Sequence, residues 1–209
     1  MNTRPREGKT RVTRESTGPR IDQPPTSGSG TEGPLERLIR FHAEIREATA
    51  SLTALLDAAS RGAVERGTID RGQAQRLREF FAGPILWHDE DEEVGLFPRL
   101  RRVELTDGER AVIEASSRGH DRMEELLEHL GPLLTAIAAG AGAGAELAAG
   151  AAEARALHTL LDGVMKLEEE ALFPLAARRL SRADLEELAA EMDARHGDEN
   201  ARPRRAVEL

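Results

Sequence analysis

Two stretches of this 209-residue chain carry donor side chains at helical spacing and nearly repeat each other. Residues 87–100 read WHDEDEEVGLFPRL and residues 163–176 read GVMKLEEEALFPLA, so Glu92 and Glu168 stand 76 positions apart, each followed by Leu-Phe-Pro. A helix turns about 100° per residue, so His88 and Glu92, four apart, share a face one turn from each other, where an imidazole and a carboxylate can grip one ion. In the second copy Val164, which has no donor atom, takes the place of His88. His42 and His120 interrupt two further apolar stripes, 46 residues before His88 and 44 before Val164. A lone histidine in an apolar stripe is ordinarily a hydrogen-bonded core residue, and a run such as DEDEE is ordinarily a solvated face. Recurrence of three histidines and two glutamates under one duplication outweighs that reading. Burying their carboxylates without a counter-charge costs several kcal/mol each, no Lys or Arg falls on these stripes, and a divalent cation would balance them.

The elements that must position these residues are helices. Leu35, Leu38, Ile39, His42, Ile45, Leu52, Leu55 and Leu56 recur at spacings of three and four from Pro34 onward, one amphipathic stripe. A second helix is predicted over 70–101 with Leu77, Phe80, Phe81, Ile85, His88, Glu92 and Leu96 inward, interrupted at Gly83-Pro84. Thr106 to Glu109 has capping-box spacing and opens a third, with Ile113, His120, Met123, Leu127, Leu130 and Leu134 on its buried face and a bend expected at Gly131-Pro132. The Ala/Gly tract 138–152 reads as a low-complexity connection fraying into a fourth helix, whose stripe is Leu157, Leu161, Val164, Glu168, Leu172 and Leu175. A short fifth helix is expected over 181–196.

The predicted fold class is therefore all-α: an antiparallel up-down four-helix bundle with a short extra C-terminal helix and a disordered N-terminal arm. Residues 1–33, rich in Arg, Ser, Gly and Pro, form the arm; 34–178 form the bundle; 179–209 form the short helix and a charged tail. The composition supports this, with 3% aromatic residues, no Tyr and a single Trp. The absence of cysteine excludes disulfides, thiolate metal sites and cysteine nucleophiles, so a metal must sit on nitrogen and oxygen. A net charge of −9 argues against nucleic acid as the main partner. No apolar run is long enough for a membrane span, and no apolar segment follows the basic N-terminus, so the expected location is the cytoplasm.

Taken together, the lone His42, the His-x-x-x-Glu of His88 and Glu92 with its LFP, the lone His120, and Glu168 with its LFP resemble hemerythrin and its HHE cation-binding relatives, over about residues 35–176. The resemblance implies a four-helix bundle holding two non-haem irons bridged by two carboxylates and an oxygen species. By position Glu92 and Glu168 would be the bridges, His42 and His88 would hold one iron, and His120 the other. The family's helix-four histidine falls on Val164. His158, six residues earlier, points well away from that direction. Glu124, four residues after His120, is the preferred replacement ligand, with Asp89 and Glu93 ranked behind it; Glu169, His129 and His196 are expected to face outward, and Trp87 to pack at the bundle surface.

A set of three imidazoles with two or three carboxylates is more anionic than that of the oxygen carriers. It suits ferric iron, and manganese as well, with the second metal position the weaker. The resulting expectation is a protein that binds or senses dioxygen, nitric oxide, peroxide or iron itself. An oxidase or peroxidase is the enzymatic alternative. A bundle that has lost its metal and serves as a scaffold is the structural one.

Overall fold

The structure, a computed structural model, describes residues 32–142 and 144–197. The arm expected over 1–33 lies outside the described residues except for its last two positions, and so does the tail beyond 197. Every regular element among the described residues is helical.

Helix α1 (Pro34–Ser60) starts on a proline, whose missing N–H costs nothing in a first turn. Asp70 caps α2 (Arg71–Ala82) by accepting from the Gln73 N–H at 2.9 Å. Gly83, with Pro84 behind it, breaks the helix, as the sequence predicts; α3 (Pro84–Glu90) follows, then a π turn (Asp91–Leu96) and α4 (Phe97–Arg101). Thr106 and Glu109 close the expected capping box on α5 (Asp107–Ala139), which runs unbroken through Pro132. Gly140, at φ +80°, ends α5 in the left-handed conformation that glycine adopts without a Cβ penalty. Helix α6 (Gly144–Leu167), a second π turn (Glu168–Leu172), α7 (Phe173–Arg179) and α8 (Arg182–Gly197) complete the described chain.

The alanine-rich tract is mostly helix rather than a frayed connection. Alanine has the highest helix propensity of any residue, and Gly150 is held by packing, since a Cβ there would meet Leu133 Cδ1 at 2.3 Å.

Helix α1 packs along α6, α6 along α5, α5 against α2 and α2 against α1, which closes a ring of four rods. The apolar interior falls into two clusters. The larger holds Phe41, Ile45, Ile85, Met123 and Leu161; the smaller holds Leu38, Leu96, Phe97, Leu172 and Phe173. Along each rod the candidate ligands sit where one cluster gives way to the other: His42 between Leu38 and Ile45, Glu168 between Leu161 and Leu172. A buried polar layer thus crosses the bundle. Helix α8 lies over the first π turn, burying Leu188 and Met192 in the smaller cluster. Leu188 sits so close to Gly95 that a Cβ there would meet its Cδ1 at 2.6 Å. No helix among the described residues is long and apolar enough to cross a membrane.

Candidate metal centre

Both glutamates that begin the repeated motif sit at π turns. The Phe97 N–H donates to the Glu92 carbonyl and the Phe173 N–H to the Glu168 carbonyl, five residues back in each case. The next residue in each copy is proline, Pro98 or Pro174, which has no N–H for the carbonyl four residues back and crowds it with its ring. Widening by one residue absorbs that mismatch and re-aims the glutamate, as π bulges do at functional sites.

The side chains converge. One donor atom each from His42, His88, Glu92 and Glu168, all buried, lie within 4.8 Å of one another. His42 Nε2 is 3.3 Å from Glu168 Oε2, and His88 Nε2 is 3.5 Å from Glu92 Oε1. His120 Nε2 completes the layer, 3.2 Å from Glu168 Oε1 and 3.5 Å from Glu92 Oε2. Ser116 donates a short hydrogen bond to Glu168. All five residues singled out by the repeat are therefore brought to one centre.

The protonation pattern of this centre calls for a cation. His42 Nδ1–H donates to Glu169 at 2.8 Å, and its Nε2 faces a Glu168 carboxylate oxygen at 3.3 Å. His42 Nε2 and both oxygens of Glu92 are buried without a hydrogen-bond partner. Burial, and secondarily the nearby His42, pushes His88 well below the usual imidazole range, which keeps it neutral and ligand-competent. Burial and the Glu168 carboxylate push Glu92 well above the carboxylate range. Glu168 is held low despite its burial, because His120 and Ser116 donate to it. His120 is held high despite its burial, by Asp89, Glu168 and Glu93. Converging buried nitrogen and oxygen atoms without hydrogen-bond partners are what a positive ion relieves, so the donor set fits a metal held by nitrogen and oxygen.

Glu124, expected as the rescue ligand, is half-buried and belongs to neither donor group. Asp89 and Glu93 occupy the place instead. His120 Nδ1 lies 2.6 Å from Asp89 Oδ1 and 3.1 Å from Glu93 Oε1, and these three form a second donor group. Val164 is buried against Gly119, where a Cβ would meet Val164 Cγ2 at 2.4 Å, so the valine fills the gap beside His120. It lines a cavity of about 10 Å³ with His88, Asp89, His120, Met123 and Glu168, room for roughly one water.

Two residues expected to face outward do not. Glu169 is half-buried and bonds both His42 and Arg46, the latter at 2.9 Å; the widened turn rotates it from solvent toward α1. His196 lies 2.9 Å from Asp91 Oδ2 and packs on Trp87, because α8 folds back over the π turn. His129 is exposed as expected, and His158 bonds Thr49 rather than the site.

An all-helical domain whose core is split by a buried layer of histidine and carboxylate donors belongs to the class of helical metal-binding proteins. Residues 33–176, more than half of the chain, match the family described as the hemerythrin HHE cation binding domain, and the chain belongs to that family. Comparison with curated proteins and with solved structures gives no match. Helix α8 falls outside the matched segment.

Proposed function

We propose that residues 34–178 form an antiparallel up-down bundle that holds two transition-metal ions, iron in the first instance and manganese as a second choice. His42, His88, Glu92 and Glu168 would hold the first, with the glutamates shared; His120 with Asp89 would hold the second and weaker one, Asp89 replacing Glu124 in that role. The observation that carries the reading is the set of buried polar atoms, His42 Nε2 and both oxygens of Glu92, that converge on one layer without a hydrogen-bond partner. When bound, iron would supply a redox-active Lewis acid able to take dioxygen, nitric oxide or a peroxide. The chain's part is to keep His88 neutral, to fix the tautomer of His42 through Glu169, to exclude bulk water with Phe41, Phe97 and Phe173 packed against the three imidazoles, and to leave, beside Val164, space for a small molecule. In this reading the protein is cytoplasmic and binds or senses its small ligand.

Metal analysis after aerobic purification and reloading tests the proposal. The expected content is at least about one equivalent of iron or manganese per chain, lost together in Glu92→Ala. Content below about half an equivalent in the wild type would remove the basis for the reading.

A further inference from the structure

The three imidazoles of the centre are not equally supported. A metal-bound histidine ordinarily donates its other ring N–H to a carboxylate or carbonyl, which fixes the ring and strengthens it as a donor. His42 Nδ1 has Glu169, itself held by Arg46, and His120 Nδ1 has Asp89 and Glu93. Among the described residues His88 makes one ion-pair contact, Nε2 with Glu92 at 3.5 Å, and lacks the second carboxylate that backs Nδ1 of His42 and His120. His88 instead lines a cavity of about 20 Å³ between α1, α3 and α8, larger than the roughly 10–15 Å³ that one water needs.

The lining of this cavity has a definite character. Leu38, Phe41, Pro84 and Met192 make its apolar surfaces. Arg37 and Arg40 bring two guanidinium groups from α1, and Asp91, its one acid, is already engaged by Arg195 and His196. Arg37 pairs at 2.8 Å with Asp193 and Arg40 with Glu32, partners on the surface that an incoming anion can replace at little cost. Guanidinium forks beside an imidazole N–H are suited to a small planar oxyanion, which accepts from both.

We infer that this cavity is a binding site for a small carboxylate of formate size, which accepts from His88 Nδ1–H and from Arg37 and thereby supplies from solution the backing that Glu169 gives His42. The inference rests on the proposed metal-binding reading for its consequence, that anion and metal bind cooperatively. Backing groups of this kind are worth about 10–100-fold in metal affinity. By reciprocity the metal strengthens anion binding by the same factor.

The test uses the full-length protein, with formate and Mn²⁺ as probes. Saturation-transfer NMR on the formate C–H, with metal-free protein, reports the pocket alone; Mn²⁺ titration followed by electron paramagnetic resonance, in formate and in chloride at equal ionic strength, reports the coupling. Transfer to formate in the wild type that is lost in Arg37→Gln, with Mn²⁺ bound about tenfold tighter in formate, is the expected result. Transfer of equal size in Arg37→Gln, or equal Mn²⁺ affinity in the two media, overturns the inference. Failure of Mn²⁺ to bind in either medium overturns the metal reading instead, and the NMR arm then decides the pocket by itself. If circular dichroism shows Arg37→Gln to be misfolded, Arg37→Met takes its place with the same outcomes.

Discussion

At the scale of single residues, what distinguishes this centre is how its imidazoles are backed. Glu169 fixes His42 with Nδ1 protonated and Nε2 free, so Glu169→Gln, which keeps the shape but removes the charge, is expected to weaken Mn²⁺ binding about 10–100-fold. The metal-free melting temperature should move far less, and an unchanged Mn²⁺ affinity would show that Glu169 is only a surface partner of Arg46. Val164 offers a complementary gain. Val164→His places an imidazole beside His120, and the second equivalent of Mn²⁺ should then bind at least about tenfold tighter in a titration that resolves two equivalents. His42, His88, Glu92, His120 and Glu168 were legible in the sequence because burial of polar side chains at helical spacing in two copies has no apolar explanation. Asp89 and Glu93 were legible only as candidates ranked behind Glu124, and Glu169 was expected to face outward, because the π turn that re-aims it is a local widening of the helix that a uniform 100° rotation does not contain.

At the scale of elements, that widening did have a signal. Each glutamate of the repeat precedes a proline by six residues, Glu92 with Pro98 and Glu168 with Pro174, and a proline inside a helical pattern requires some break in the hydrogen-bond ladder. The periodicity located the rods correctly but could not choose between a kink and a π turn. Helix ends followed the sequence more directly, as the capping box of α5 shows. Thr106→Ala is expected to cost about 1 kcal/mol in thermal or denaturant unfolding. Glu109 in the same box is held down to about 2, first by the Thr106 N–H and then by Arg179. Because its folded value is depressed, its contribution is complete above the ordinary carboxylate value of 4.5 and is lost as pH falls from there toward 2. An NMR titration should place its midpoint near 2, and Glu109→Gln should flatten that part of the stability profile; a midpoint near 4.5 would mean the box does not form in solution.

At the scale of the whole molecule, a polar layer divides what would otherwise be one apolar core, and the metal-free fold bears the cost. Each buried polar atom left without a partner costs about 1–3 kcal/mol, and His42 Nε2 and both oxygens of Glu92 are such atoms in this layer. The two apolar clusters on either side, together with the clasp of α8 through Arg99 to Glu187 and Glu191, must carry the fold when no cation is present. Metal binding then acts as folding energy. At a free Mn²⁺ concentration 100 times the dissociation constant the gain is about 2.7 kcal/mol, or roughly 5–10 °C in melting temperature for a chain of this length. The double variant His42→Leu with His88→Leu separates this account from one in which the histidines merely fill the core. If they are ligands, the variant melts without any response to Mn²⁺. If they are core residues, the wild type and the variant respond alike to Mn²⁺. A wild-type melting temperature that stays fixed while Mn²⁺ rises through the millimolar range would leave the buried acceptors without the cation that their arrangement requires.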